Sequence, residues 1–121
     1  MTEQEIFNRV WAHLNKQGHP AFGKYGSCQY RTSNGDACAV GCLLDDATAT
    51  LFDAKPNPNI ADIFKSTPDL VPTELHPHIA FLDNLQNIHD RKYVGMDGTW
   101  LENWQGAMCD LADFRNLEVP E

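Results

Sequence analysis

The chain is short of positive charge: nine Lys and Arg stand against seventeen Asp and Glu, for a net charge of −8 over 121 residues. The deficit is uneven. Residues 1–60 hold five basic and six acidic side chains, a balance of −1; residues 61–121 hold four and eleven, a balance of −7. A surface of that sign repels phosphates, so direct nucleic-acid binding is not expected, whereas a basic protein surface would be attracted. Long apolar runs are missing too, and nothing approaches the roughly 18 residues a membrane span needs. The first ten residues, MTEQEIFNRV, have no basic segment followed by an apolar one, so no signal peptide is read and a cytoplasmic location is expected. No GxGxxG, P-loop, HExxH, GxSxG or EF-hand pattern occurs, which removes the commonest nucleotide, metalloprotease and hydrolase readings. Internal repeats and low-complexity tracts are likewise missing.

What is present points to one folded domain over residues 1–121. Apolar residues make up 42% of the chain and aromatics 10%, enough for a core. Thr2 and Glu5 form a capping box, and Ile6, Phe7, Val10, Trp11 and Leu14 then recur at helical spacing up to Gly18, a left-handed stop. Over 27–40 the pattern changes to alternation, with Cys28, Tyr30 and Thr32 on one side and an Asn34-Gly35 turn, which predicts a short β-hairpin. The apolar run Ala37–Leu44 reads as a strand passing into a turn or short helix. Asp45-Asp46 would cap a helix from Ala47 to about Ala54, and Asn59 one through Ile60, Ile63 and Phe64. A longer helix is expected from about His78 to Lys92, with Ile79, Leu82, Leu85, Ile88 and His89 inward. After a turn at Gly95–Gly98, a last helix from near Thr99 would carry Trp100, Trp104, Met108, Leu111 and Phe114 on its apolar side. The expected fold is therefore α+β and mainly α, helices packed around a short hairpin.

The cysteines, Cys28, Cys38, Cys42 and Cys109, are read as reduced thiols. Three readings of the hairpin cysteines stay open. They can be small buried hydrophobes, the common fate of free Cys. Cys28, Cys38 and Cys42 with His89 offer four zinc-type donors, although C-x9-C-x3-C lacks the usual C-x2-C knuckle. Alternatively Cys38 is a nucleophile with His89 as base and Arg31 beside it, in a Cys/His-dependent hydrolase or transferase. Asp90 is a poor orienter for its neighbour His89, since adjacent helical residues point about 100° apart; Asp45 or Asp46 would be needed. A polar cluster of Arg31, Asp45, Asp46 and His89 is more readily structural than catalytic. His76-Pro77-His78 is a weak metal suggestion.

CysGlnTyrArg at 28–31, AsnGlyAspAlaCysAlaValGlyCysLeuLeu at 34–44 and LeuGlnAsnIleHisAsp at 85–90 together resemble a group of small phage, prophage and bacterial proteins without an assigned function. The likeness extends to the N-terminal helix and the tryptophan-bearing C-terminal helix. Members often carry proline after the CysLeuLeu-type segment, where this chain has Asp45. The group has no activity to transfer, so the resemblance assigns no catalytic residue. It implies a phage-type accessory protein that binds a basic host protein, with counter-defence or mimicry of nucleic acid as the context. Asp83, Asp90, Asp97, Glu102, Asp110 and Asp113 are the expected contact residues. Neither a membrane nor a cofactor is expected, zinc excepted.

Overall fold

The computed structural model describes residues 1–21, 29–55, 58–90 and 104–120, with only the backbone of Asp90. Cys28, Trp100, Asp97, Glu102 and the expected Gly95–Gly98 turn lie outside those residues.

Five α-helices make up the described fold: α1 (Glu3–Gln17), α2 (Asp46–Asp53), α3 (Ile60–Ser66), α4 (Ile79–Asp90) and α5 (Trp104–Phe114). Three 3-10 segments, Gly41–Leu43, Pro68–Leu70 and Thr73–His78, connect them. The start of α1 is closed by the reciprocal pair of bonds expected of Thr2 and Glu5, at 3.1 and 3.0 Å, and Gly18 ends it with φ +77°. Asp45 caps α2 by accepting from the Thr48 N–H, and Asn59 caps α3 by accepting from Ala61 and Asp62. Each cap satisfies donors that a bare helix start leaves unpaired.

The core gathers Ile6, Phe7, Val10 and Leu14 of α1, Phe52 of α2, Ile60 and Ile63 of α3, Phe81, Leu82 and Leu85 of α4, and Met108 of α5. Full burial of each such side chain contributes about 1.5–3 kcal/mol. Phe7, Trp11 and Trp104 form a continuous aromatic row joining α1 to α5, with centroids 6.1 and 5.8 Å apart.

The expected hairpin is not formed. Among the described residues there is no strand, only an isolated antiparallel bridge between Arg31 and Ala37, so the α+β reading is corrected to a helical fold. The reason lies in where the main-chain donors go. Tyr30 N–H and Arg31 N–H donate to the two carboxylate oxygens of Asp53, at 2.9 and 3.1 Å. Ala37 N–H donates to Gln17 Oε1 at 2.9 Å, and Val40 N–H to Gln86 Oε1 at 3.0 Å. The bridge keeps its two flanking cross-strand bonds, Thr32 N–H to Asp36 O at 2.9 Å and Cys38 N–H to Tyr30 O at 3.4 Å, and the N–H groups of Arg31 and Ala37 point outward from it. The donors that would lengthen the ladder, Tyr30 N–H and Val40 N–H, are taken by side chains of α2 and α4. The turn is also not centred on Asn34-Gly35: Gly35 N–H donates to Thr32 O at 3.0 Å, which puts Ser33 and Asn34 at the corners, and Gly35 follows them at φ +87°.

A second correction concerns α5. Its inward stripe runs through Trp104, Met108 and Ala112, and Phe114 lies outside it, 82% exposed. The helix stops in a Schellman arrangement: Leu117 N–H reaches Ala112 O at 2.7 Å, Asn116 N–H reaches Asp113 O at 3.2 Å, and Asn116 takes φ +57°. The turned-back tail meets α1, where the Gln4 carboxamide grips both main-chain groups of Glu118 at 2.8 Å. Arg115 pairs with Glu3 at 3.1 Å and lies over the Phe81 ring.

Candidate functional site

The residues most conspicuous in the sequence converge on a compact knot between positions 29 and 46. Gly41 permits it. A Cβ on Gly41 would stand 2.0 Å from the Tyr30 carbonyl oxygen, so only glycine lets these two backbone segments touch. Arg31 then crosses the junction: Nη2 donates to the carbonyls of Gly41 and Leu44, both at 2.9 Å, while Nη1 pairs with Asp46. On the other side Tyr30 packs edge-on against Phe52 at 5.0 Å, and its hydroxyl donates to the Pro58 carbonyl. Of the expected cluster, Arg31 and Asp46 therefore meet. Asp45 is spent on its cap, where hydrogen bonding from Thr48 holds its carboxyl below the usual range. None of Arg31's bonds goes to His89.

Cys38, Cys42 and His89 face inward, while Cys109 is exposed. Cys38 is fully buried and its sulfur accepts from Gly41 N–H at 3.3 Å. Cys42 donates to the Ala39 carbonyl at 3.1 Å, and burial pushes its thiol from 9.0 up to about 12, the opposite of what a thiolate nucleophile needs. His89 is fully buried and its Nε2 accepts from the Ala21 N–H at 2.9 Å, which commits the nitrogen that a base or a metal ligand would use. Gln86, one turn earlier and also buried, holds Val40. Gln86 and His89 are thus two polar pins on one face of α4, each closing a main-chain donor on a different segment. Sequence reasoning missed Gln86 and Asp53; their signal was a polar residue at an inward helical position. Among the described residues no three of His, Cys, Asp and Glu come together to hold a metal ion, and Cys28 lies outside them. His76 and His78 hydrogen-bond instead to the carbonyls of Val71 and Met1, at 2.8 and 2.7 Å.

The six acidic residues expected to contact a partner divide. Asp83 is half-buried and accepts from Asn59 at 2.9 Å, tying α4 to the start of α3. Asp97 and Glu102 lie outside the described residues, as does the Asp90 side chain. Asp110 and Asp113 are exposed on α5, and Phe114 is exposed beside them. Asp110 and Phe114 are four apart and share a face. Neither carboxylate forms an ion pair among the described residues; Arg115, next along the chain, is committed to Glu3.

This end of α5 carries two unfavourable features at once. Asp113, in the last turn, sits at the negative pole of the helix, at a cost of about 0.3–1 kcal/mol when unscreened. An exposed Phe forfeits the roughly 1.5–3 kcal/mol its burial would contribute. The last turn holds no basic residue to offset the pole. No helix among the described residues is long and apolar enough to cross a membrane. No protein-family model, no curated protein and no solved structure matches the chain.

Proposed function

We propose that this protein acts by binding, as an acidic accessory protein of the phage type whose contact face is the C-terminal half of α5. One observation carries the reading: Phe114, 82% exposed, stands beside the exposed Asp110 and Asp113. A partner with an apolar hollow rimmed by Lys or Arg would bury the ring and neutralise the acids, offsetting both unfavourable features of the helix end. The −7 balance of residues 61–121 adds long-range attraction toward such a surface. A host factor that otherwise handles nucleic acid has the required basic surface, and Asp110 and Asp113 would then lie where phosphates lie. The inward commitments of Cys38, Cys42 and His89 support binding over thiol chemistry.

The test is capture from host lysate at low and high salt, with Phe114→Ala and with Asp110→Asn/Asp113→Asn in parallel. The expected outcome is a partner held at low salt, released as salt rises, and lost with Phe114→Ala, whose truncation should cost about 2 kcal/mol or more of binding. Retention that ignores both salt and Phe114 overturns the proposal.

A further inference from the structure

Besides Phe114, one other large apolar side chain is exposed among the described residues: Leu51, at 52%. It belongs to a stripe on α2. Ala47, Thr50, Leu51 and Ala54 are all exposed and follow the three-one-three spacing of a single helical face, while Ala49 and Phe52 on the opposite face enter the core. The Thr50 hydroxyl donates to the Asp46 carbonyl at 2.8 Å, which satisfies its polar group within the helix and leaves the methyl outward.

The stripe is symmetric about the midpoint between Thr50 and Leu51. Reversing the helix about that point places Ala47 on Ala54, Thr50 on Leu51, and Asp46 on Lys55. The outer pair is opposite in charge. Lys55 makes no ion pair among the described residues, and Asp46, though it holds Arg31 through Oδ1, keeps its side chain 86% exposed. We propose that α2 is a self-association face on which a second copy of this chain packs antiparallel about a two-fold axis. Leu51 of each copy then sits over the small residues of the other, where alanines let the two helix axes approach closely. Two symmetry-related Asp46–Lys55 pairs close the ends, as an isologous interface requires. An eight-residue helix is only about 12 Å long, so the buried area falls below that of stable dimers and the association is weak. This inference is independent of the α5 reading, which uses another helix and another partner.

Sedimentation equilibrium over rising protein concentration tests it. The mass of the wild-type chain should climb from one copy toward two. Leu51→Asp should remain a single copy throughout, and Lys55→Glu, which sets like charges face to face, should weaken association by roughly tenfold. Phe114→Ala should leave it unchanged. All these positions are on the surface, so circular dichroism should show the same helix content in each variant. The register has its own measurement: in a Cys109→Ser background, a mixture of Ala47→Cys and Ala54→Cys chains should form a cross-chain disulfide on oxidation, and neither variant alone should. A wild-type chain that stays single, association that survives Leu51→Asp or disappears with Phe114→Ala, or cross-linking as ready in either variant alone as in the mixture overturns the proposal.

Discussion

The knot at 29–46 and the C-terminal end of α5 are opposites. In the knot most polar groups are answered: the Arg31 Nη atoms by two carbonyls and Asp46, Tyr30 and Arg31 N–H by Asp53, Val40 N–H by Gln86, with the buried Arg31 Nε left without an acceptor among the described residues. At the end of α5, two carboxylates lack a cation among the described residues and an aromatic ring lacks cover. The knot holds the unusual residues, the cysteines, the glycine and the arginine; the helix end holds ordinary ones. Unusual residues here serve a tight shape, and the exposed ring and unpaired carboxylates sit where the sequence looks plain. Chemical rarity and functional exposure are separate properties.

The comparison is broken most forcefully at Gly41. Gly41→Ala places a methyl carbon against the Tyr30 carbonyl, and the backbone must separate, so denaturant unfolding should show a loss of about 3 kcal/mol. A loss under 1 kcal/mol would mean the knot yields easily and is no structural centre.

Cys42 sharpens the same side through pH. Its thiol is raised in the folded state, so the stability it contributes is whole below pH 9 and is lost as pH rises toward 12, because only the unfolded chain ionises in that window. Stability should fall by up to about 1.4 kcal/mol per pH unit there, and Cys42→Ala should remove that slope. The same contrast orders thiol labelling: exposed Cys109 should react before Cys42 and Cys38.

At α5 the expected effect is smaller and of opposite sign. Asp113→Asn removes a charge from the negative end of the helix and should stabilise the free protein by about 0.3–1 kcal/mol while weakening partner capture. A residue whose removal helps the fold and harms binding is kept for binding; destabilisation on this substitution would instead place Asp113 among the fold's own supports.

What could be read beforehand was what neighbours along the chain decide. The Thr2–Glu5 box, the Gly18 stop, the Asn59 cap and the inward Leu82, Leu85 and His89 all depend on residues within one or two turns. The hairpin failed for a non-local reason. Alternation and an Asn-Gly turn are sound local signals, but the competing acceptors on Asp53 and Gln86 lie well outside the hairpin's own residues. Phe114 failed similarly, since the axis along which α5 meets α1 and α4 sets which face is inward. At the site, Asp110 and Asp113 were legible from composition, and their aromatic neighbour was misplaced.

The grip of Gln4 on Glu118 bridges positions 114 apart and is doubled by Glu3 and Arg115. It closes the chain into a clasped ring. Because the entropy of closing a loop grows only with the logarithm of its length, so long a ring costs little more than a short one. Mechanically, tension applied between the two ends is shared by this polar clasp and by the bond from His78 to the Met1 carbonyl, so the two termini are held at more than one point.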